Sequence, residues 1–346
     1  MLLALWEQAN NMNKFVEEDA KNITKQFDMS VFDKKTVLVT GATGLIGSLC
    51  VKSLLASDYD TKVLALVRNE NKAKKMFEEN ENLYLIVQDI NEPIKYENHA
   101  DYIIHTASVT ASKDFVEKPA QTILTALKGT FNVLEFAREK KCLGLVYLSS
   151  LEVYGIPSKE NVTENDYGYI DILTPRGSYP EGKRIAENLC ISYGSEYEVP
   201  VKIARLTQTF GAGVTKNDNR VFAQFAKSVI EKRDIVLHTE GKTKRCYCYT
   251  TDAVTGIYTI LTKGERNNAY NIANSNTYIS ICEMAKSLEN ENTKVVFDID
   301  DKNYGYNPEM QIFLNSEKLE KLGWKAKTPL KEMFKRLISS MEENDA

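Results

Sequence analysis

The sequence predicts an α/β protein in which helices cover both faces of a doubly wound parallel sheet. Two observations support this prediction. Short runs of β-branched and aliphatic residues, typical of strands buried on both faces, alternate with segments of helical spacing. A glycine-rich turn joins the first of these strands to the first helix. Such alternation implies right-handed crossovers between neighbouring parallel strands.

The predicted elements follow one another regularly as far as residue 205. The predicted strands are residues 36–40, 62–67, 83–87, 100–105, 144–149 and 201–205. The predicted helices between them are residues 45–56, 71–80, 120–140 and 181–195. Further on, the pattern predicts an amphipathic helix at 221–232 and short strands at 235–237 and 270–272.

Three parts of the chain are expected from this pattern. Residues 1–30 form a polar, helix-prone arm that either packs against the body or a partner subunit, or frays. Residues 31–205 form the domain that contains the parallel sheet. Residues 206–346 form mainly a smaller C-terminal lobe that binds the substrate, with some segments returning to the sheet.

Composition and charge exclude several classes of function. The chain has 346 residues, a net charge of −4 and a pI of about 5.7, so no basic field attracts nucleic acid or an anionic membrane. The apolar start before Glu7 is too short for a signal peptide and has no basic region before it. We therefore expect a cytoplasmic protein.

The cysteines do not indicate a metal site. Cys246 and Cys248 form a CxC pair, but the chain has no second pair and only three histidines. We expect the six cysteines to be buried or half-buried thiols in a reducing compartment, and catalysis without a metal.

The glycine turn predicts a dinucleotide site of the Rossmann type. Gly41, Gly44 and Gly47 lie between a buried strand and a helix, where backbone N–H groups and the helix N-terminus can hold a pyrophosphate. The alternative is a tight turn with packing glycines. The residues predicted to contact the cofactor are Gly41, Thr43, Gly44, Leu45, Ile46, Gly47, Arg68, Asp89, Ile90, Thr106, Ala107, Tyr179 and Lys183.

The residue after the second strand bears on the choice between NAD and NADP. An enzyme that uses NAD normally has an acid there for the ribose hydroxyls, whereas this chain has Arg68, with Lys72 beyond it. A cation accommodates a 2′-phosphate, which favours NADP. Arg68 could equally stack on the adenine or face solvent. Asp89 either contacts the adenine or caps the turn that follows it.

A tyrosine and a lysine are candidates for catalysis. Tyr179 and Lys183 are four residues apart and so share a helix face, downstream of Ser150 at the end of the fifth strand. A nearby ammonium and a positive nicotinamide ring would lower the phenol pKa from its usual value near 10. The alternative is a solvated helix face. Reactive groups in α/β sheets lie at this edge of the sheet.

Together these motifs resemble those of the extended short-chain dehydrogenase/reductases, the NAD-dependent epimerase/dehydratase family. The resemblance runs from about residue 35 to the end of the chain. The segments that match are Gly41-Ala-Thr-Gly-Leu-Ile-Gly47, His105-Thr-Ala-Ser108, Tyr147-Leu-Ser-Ser-Leu-Glu-Val-Tyr-Gly155, Tyr179-Pro-Glu-Gly-Lys183, Asn271 and Leu322-Gly-Trp324. The resemblance implies that Tyr179 is the base at a sugar hydroxyl, that Lys183 tunes it and binds the nicotinamide ribose, and that Ser150 hydrogen-bonds the same hydroxyl.

Glu152 narrows the chemistry that this resemblance implies. The decarboxylases and 4,6-dehydratases of the family have an acid here, and typical 4-epimerases lack it. A ketone at C4 of a sugar acidifies the C5–H, which a carboxylate can then remove. Leu151 disfavours the dTDP-glucose type of 4,6-dehydratase, which has an aspartate at that position. A structural role for Glu152 is the alternative.

The predicted substrate-binding residues are Gln208, Arg220 and Arg245. By resemblance to UDP-glucuronate decarboxylases, the two arginines lie at the nucleotide diphosphate or the sugar, and a guanidinium suits a diphosphate. The chain departs from the family pattern at Gln208 and Ala212, at Ala126, where an asparagine commonly supports the catalytic lysine, and at Ser108.

The sequence therefore predicts an NAD(P)-dependent enzyme that oxidises C4 of a nucleotide sugar transiently, followed by dehydration or decarboxylation at C5 and C6. The alternatives are a nucleotide-sugar 4-epimerase, a simple NADP-dependent sugar reductase, and a cofactor-binding regulatory protein. The resemblance also implies a homodimer formed through the helices at 120–140 and 181–195.

Overall fold

A computed structural model describes residues 13–299 and 309–343. The first twelve residues of the predicted arm lie outside the described residues. The strands are Thr36–Thr40 (β1), Lys62–Val67 (β2), Leu83–Val87 (β3), Tyr102–His105 (β4), Gly144–Ser150 (β5), Asn161–Val162 (β6), Val201–Leu206 (β7), Gln208–Phe210 (β8), Ile235–Leu237 (β9), Lys244–Tyr249 (β10), Asn268–Ile272 (β11), Asn274–Ser280 (β12), Val295–Phe297 (β13) and Gln311–Leu314 (β14).

The α-helices of the same residues are Lys14–Gln26 (α1), Leu45–Leu55 (α2), Glu70–Met76 (α3), Ser112–Glu117 (α4), Pro119–Lys140 (α5), Ser178–Glu196 (α6), Val221–Ile230 (α7), Thr250–Lys263 (α8), Ile281–Lys286 (α9), Glu317–Glu320 (α10) and Leu330–Glu343 (α11). Short 3₁₀ helices cover Met29–Phe32, Leu151–Tyr154 and Pro175–Gly177.

The central sheet confirms the predicted fold class. Its seven strands run in the order β11-β7-β5-β4-β1-β2-β3, and every pairing between them is parallel. The chain builds outward from β1 through β2 and β3, then returns to the other side of β1 with β4. The strand order therefore reverses between β1 and β4, and a crevice opens there at the carboxyl ends of the strands.

The apolar residues of β1 explain why both faces of the sheet are covered. Val37 and Val39 are fully buried in one core, against α1, α2 and α8. Leu38 points to the opposite face and is fully buried in a second core, against α5 and α6. Alternate side chains of a strand leave opposite faces of a sheet, so an uninterrupted apolar strand needs helices on both sides.

A second sheet forms most of the C-terminal lobe. Its strands run in the order β12-β10-β14-β6, and β8 pairs with β10 at the other end of that strand. The sequence pattern did not reveal β10, β12, β14 or α8. All residues of α8 as far as Leu261 are buried, including its threonines and Asp252, so its polar residues do not form a solvent-exposed face. The boundary predicted at residue 205 stays a prediction.

Helix α6 begins earlier than predicted. It starts at Ser178, so Tyr179 and Pro180 belong to its first turn and not to the preceding loop. Proline is tolerated in a first turn because the N–H groups there have no partner within the helix. The tyrosine is therefore held by a helix and not by a flexible segment.

The described part of the N-terminal arm packs against the body of the protein. Helix α1 contacts α2, α8 and α11, with Ala20 and Ile23 fully buried. Its Asp19 is also buried, where the Tyr249 hydroxyl donates to Oδ2 at 2.6 Å and Arg336 Nη2 lies 2.7 Å from Oδ1. A buried carboxylate is tolerated because Arg336 compensates its charge and the Tyr249 hydroxyl donates a hydrogen bond to it. Burial nevertheless raises the Asp19 pKa from 3.8 to about 6.

This shift predicts a pH-dependent contribution to stability. Between pH 3.8 and about 6 the folded state binds more protons at Asp19 than the unfolded state. The Asp19 contribution to the free energy of unfolding therefore falls as the pH rises through that interval, by on the order of 2–3 kcal/mol. Asp19→Asn removes this term. Denaturant unfolding of both proteins across the interval measures it, and a constant difference between them would contradict the assignment.

Candidate active site

The candidate active site is a cleft of about 730 Å³ at the crevice between β1 and β4. Nearly all of the residues predicted from the sequence line it. These are Gly41, Thr43, Gly44, Leu45, Ile46, Gly47, Arg68, Asp89, Ile90, Thr106, Ala107, Ser150, Glu152, Tyr179, Lys183, Gln208 and Arg220. The structure therefore brings the predicted cofactor, catalytic and substrate residues together, with the exception of Arg245.

In the glycine turn, the backbone of the first turn of α2 lies very close to the backbone at the end of β1. Gly41 has φ of +64°, and a Cβ on Gly47 would lie 2.3 Å from the Gly41 carbonyl oxygen and 2.9 Å from Thr106 Oγ1. Helix α2 can therefore start directly against the ends of β1 and β4. No side chain caps its first turn, so the backbone N–H groups at Leu45 and Ile46 are available to an anion. This geometry fits a dinucleotide pyrophosphate.

A buried polar chain fixes the two strands beside the turn. The Ala107 N–H donates to Thr40 Oγ1, so we infer that the Thr40 hydroxyl donates to His105 Nδ1, 2.7 Å away. The other ring nitrogen then donates to Thr130 Oγ1 at 3.2 Å. Burial, and then the charge of Lys183, lower the His105 pKa to about 3, so the imidazole is neutral. It is structural and does not act as an acid or base near neutral pH.

The far end of the cleft carries the groups that bear on cofactor choice. Arg68 is exposed at the end of β2, and Lys72 Nζ donates to the Thr43 carbonyl at 3.0 Å. Asp89 lines the cleft and also accepts hydrogen bonds from the Asn91 backbone and side chain, at 2.9 and 2.8 Å. Asp89 thus caps the turn that follows it and still has access to the cleft.

Tyr179 stands at the mouth of the glycine turn, on the first turn of α6. Its ring stacks on Phe115 at 4.1 Å between centroids, and its hydroxyl interacts with the Ser150 side chain. Burial, followed by the charge of Glu152, raises the Tyr179 pKa to about 12, and the effects of Ser150, Arg176 and Arg220 only partly offset this. In the protein alone, burial and Glu152 outweigh the cations around the ring. The expected lowering of this pKa invokes a bound nicotinamide as well as Lys183 and stays a prediction.

Lys183 is buried beneath the tyrosine. Its Nζ donates to the Leu148 carbonyl at 2.7 Å, lies 4.8 Å from the centre of the Tyr147 ring, and lies 6.0 Å from that of Tyr179. Burial lowers the Lys183 pKa to about 8, against the raising effect of Glu187. Ala126, where the family commonly has asparagine, instead packs beside Gly182, and a Cβ on that glycine would lie 3.3 Å from the Ala126 Cβ.

Glu152 lies in the 3₁₀ helix that follows β5 and points toward Tyr179. Both of its carboxylate oxygens accept from Arg176 Nη2, each at 2.8 Å. The Glu152 N–H donates to Ser150 Oγ at 3.3 Å, which ties the acid to the candidate catalytic serine. The acid is therefore held in a fixed position beside the phenol.

The three predicted substrate residues do not share one location. Gln208 and Arg220 line the cleft, and Arg220 Nη2 is 2.6 Å from Asp218 Oδ2. Arg245 lies on β10 and is not among the residues that line the cleft. Its Nε is buried and has no hydrogen-bond partner among the residues that the structure describes. A substrate role for all three residues stays a prediction.

Two residues next to the catalytic group were not found from the sequence as site residues. Phe115 stacks on the Tyr179 ring, and Arg176 is bonded to Glu152. Arg176 lies three positions before Tyr179 in a segment that resembles UDP-glucuronate decarboxylases, which was the available signal. Phe115 is brought in by the short helix α4, which the sequence pattern did not predict, so no signal existed for it.

The cysteines are buried or partly buried in the described structure, as expected of inert thiols. Burial raises the pKa of Cys142 and Cys50 to about 12. Among residues 13–299 and 309–343, no group of three or more histidine, cysteine, aspartate or glutamate side chains is placed to hold a metal ion. In the same part of the chain every helix is too short or too polar to span a membrane.

The sheet topology and the glycine turn are those of the dinucleotide-binding α/β proteins, and a tyrosine and a lysine line the candidate active site. The model of the NAD dependent epimerase/dehydratase family matches residues 37–273, and the chain belongs to that family. The predicted family and the prediction of an enzyme of the epimerase/dehydratase type are therefore confirmed.

Two relatives that are similar to this chain in sequence are both UDP-glucuronic acid decarboxylases. UDP-glucuronic acid decarboxylase 1 of Danio rerio is 29% identical over 318 residues, which cover 90% of this chain and 73% of that protein. UDP-glucuronic acid decarboxylase 6 of Arabidopsis thaliana is 29% identical over 303 residues, which cover 86% of this chain and 85% of that protein.

Similar solved structures share the fold at lower identity. An epimerase from Methanothermobacter thermautotrophicus has a TM-score of 0.77 and 23% identity, covering 91% of this chain and 94% of that one. The dTDP-glucose 4,6-dehydratase of Bacillus anthracis, solved with NAD, has a TM-score of 0.73 and 20% identity, covering 90% of this chain and 97% of that one. At these identities the likeness concerns the fold alone.

The close approach at Gly47 predicts that one methyl group is enough to disrupt cofactor binding. Gly47→Ala must push α2 away from the Gly41 carbonyl, and we expect the Kd for NADH to rise by about tenfold or more. Overpacking should also destabilise the fold by about 1–3 kcal/mol. Fluorescence titration of NADH measures the first effect. Ser48→Ala, on the next residue of the same helix, is the control, and equal binding by both variants would refute the cradle.

Proposed function

We propose that the protein is an NAD(P)-dependent nucleotide-sugar enzyme that oxidises C4 of the sugar transiently and then carries out chemistry at C5 and C6. Decarboxylation of a nucleotide-activated glucuronic acid is the outcome we favour. The observation that carries the proposal is that Tyr179, Ser150 and Glu152 line the same cleft as the glycine turn. The decarboxylase relatives support the choice of sugar.

The first step requires a base at the C4 hydroxyl. Tyr179 accepts that proton, and Ser150 holds the same hydroxyl in place. Bound NAD(P)⁺ supplies the acceptor for the C4 hydrogen and a positive charge beside the ring. That charge, together with Lys183, acts against the burial and the Glu152 charge that raise the Tyr179 pKa to about 12. Lys183 is held for this task by the Leu148 carbonyl.

The second step follows from the C4 ketone. In a uronic acid the ketone is β to the C6 carboxylate, so the electrons of the C5–C6 bond can move toward the ketone as carbon dioxide leaves. In a sugar with a C6 hydroxyl, Glu152 would instead remove the C5 proton and the C6 hydroxyl would leave as water. In both cases the hydrogen taken from C4 would be returned to the sugar intermediate, to C4 after decarboxylation or to C6 after loss of water. A bound NAD(P) would thereby be oxidised again within one turnover, and no external reductant would be consumed.

Arg220 and Arg245 would hold the nucleotide diphosphate. Arg220 lines the cleft with Gln208, and the net charge of −4 leaves binding to such local groups. Arg245 is proposed for the same role on the strength of the family resemblance.

We further propose a homodimer in the cytoplasm. Exposed apolar side chains on α5 and α6 support the dimer, namely Leu124, Phe131 and Ile185.

The test of the reaction uses purified protein and a panel of UDP-, GDP-, CDP- and dTDP-sugars that includes UDP-glucuronic acid, with mass spectrometry of the products. Loss of carbon dioxide identifies a decarboxylase and loss of water a dehydratase, whereas unchanged mass with altered stereochemistry identifies an epimerase. Steady consumption of NADPH would identify a simple reductase, and no turnover of any sugar would favour a regulatory protein.

Removal of the Tyr179 hydroxyl tests the assignment of this residue as the catalytic base. We expect Tyr179→Phe to lower the turnover rate by about 10²–10⁴-fold, because the base is lost while the ring still stacks on Phe115. Binding of NADH should persist. Turnover is measured with whichever sugar the panel identifies. Activity unaffected by the substitution would defeat the assignment of Tyr179 as the base.

We also propose that NADP is the preferred cofactor, since Arg68 is exposed at the far end of the cleft, where a 2′-phosphate would lie. Arg68→Asp should raise the Kd for NADPH by about tenfold or more and should not weaken NADH binding. Lys74→Asp makes the same charge change on an exposed lysine of α3 that does not line the cleft, and serves as the control. Unchanged NADPH binding by Arg68→Asp would overturn the preference.

A further inference from the structure

Arg176 is the cation in contact with the side chains around Tyr179, although it does not itself line the cleft. Its guanidinium lies 5.2 Å from the centre of the Phe115 ring, and Phe115 in turn stacks on Tyr179 at 4.1 Å with an interplanar angle of 12°. The same guanidinium bonds both carboxylate oxygens of Glu152. One side chain thus contacts the neighbours of the phenol on two sides.

The segment around Arg176 is fixed by its own contacts. Arg176 belongs to the 3₁₀ helix Pro175–Gly177, directly before α6. Ser178 Oγ donates to the Phe115 carbonyl at 3.2 Å, which joins the start of α6 to α4. A Cβ on Gly177 would lie 2.7 Å from the Asp171 carbonyl oxygen, so the backbone there is closely packed. The position of the guanidinium is therefore set by the fold.

We propose that Arg176 is a positioning residue for both groups that move protons in the reaction, Tyr179 and Glu152. It holds the Phe115 ring against the phenol, and it fixes the orientation of the carboxylate and offsets its charge. The assignment rests on the proposed function for the identity of the two groups, and nothing in the sequence alone assigned a role to Arg176.

The charges around Tyr179 define what removal of Arg176 would do. The charges that act on the phenol are those of Glu152, Arg176 and Arg220. Lys183 Nζ lies 6.0 Å from the centre of its ring, and Asp114 and Lys118 line the same cleft. Asp114 pairs with Lys118 at 3.6 Å, and Asp218 pairs with Arg220. Glu152 raises the Tyr179 pKa and Arg176 lowers it. Without Arg176, Glu152 would lose the cation bonded to it, and Arg220 would offset less of its effect on the phenol.

A double-mutant cycle, in which each of the two charges is neutralised singly and then both together, tests this role in the NAD-loaded protein. Removal of the cation by Arg176→Met should raise the titration midpoint of Tyr179 by about one pH unit, and Glu152→Gln should lower it by a similar amount. The double variant removes both charges and should return close to the wild-type midpoint. A role in local packing alone would not make the second substitution restore the first.

The midpoint can be read without any substrate. Ultraviolet difference titration follows phenolate formation, and a matching Tyr179→Phe protein in each background subtracts the other tyrosines, since the chain has 18. This result stands even when no nucleotide sugar is turned over, so failure of the proposed function and failure of this proposal are distinguishable. Where a substrate is found, the single-turnover rate of cofactor reduction should fall about tenfold for each unit of increase in the midpoint.

Two further variants keep the test decisive. Arg176→Lys retains the charge without the fork and should give a midpoint between those of the wild type and Arg176→Met, which matters if the methionine variant does not fold. Arg233→Met removes a cation from an exposed pair with Glu231, away from the cleft, and should leave the midpoint unchanged. An unchanged midpoint in Arg176→Met, or a double variant that stays high, would overturn the proposal.

Discussion

The whole site depends on one close contact, between the first turn of α2 and the end of β1. Gly47 leaves so little space that a single Cβ would lie 2.3 Å from the Gly41 carbonyl oxygen. Because α2 starts at that point, its uncapped N–H groups open into the crevice where the strand order reverses. The neutral His105 bridges β1 and α5 behind the turn and keeps the two strand ends in register. The catalytic residues are placed by strands and helices that leave this same edge.

Burial biases both Tyr179 and Lys183 toward their neutral forms. The Tyr179 pKa is raised to about 12, whereas the pKa of Lys183 is lowered to about 8. Both shifts have desolvation as their main cause, because ionisation in a low-dielectric site is unfavourable. The pKa values in such a site depend strongly on neighbouring charges, because little water lies between them to screen each charge. In the proposed reaction, the charge that arrives with the cofactor would therefore change the phenol more than it would on an exposed tyrosine.

The sequence predicted the sheet-forming half of the fold well, since buried parallel strands such as β1, β2 and β5 are mostly apolar runs with clear boundaries. The glycine turn and the Tyr179–Lys183 pair were also readable, because each has a fixed local spacing. The C-terminal lobe was not, since β10 and β12 contain many polar residues and form no continuous apolar run, and α8 is buried on all sides. Phe115 reaches the site from a six-residue helix, and the Tyr179 pKa depends on burial, which no local pattern reports.

The two arginines nearest the catalytic end are already paired with carboxylates. Arg220 is bonded to Asp218, and Arg176 is bonded to Glu152. An anion that binds Arg220 must therefore compete with an aspartate that is part of the same loop and costs little entropy to hold. A diphosphate presents several charged oxygens and can satisfy the guanidinium fork with two of them, whereas a neutral sugar offers nothing to replace the carboxylate. A cleft lined in this way should discriminate in favour of activated sugars over free ones, although the protein as a whole carries a net negative charge.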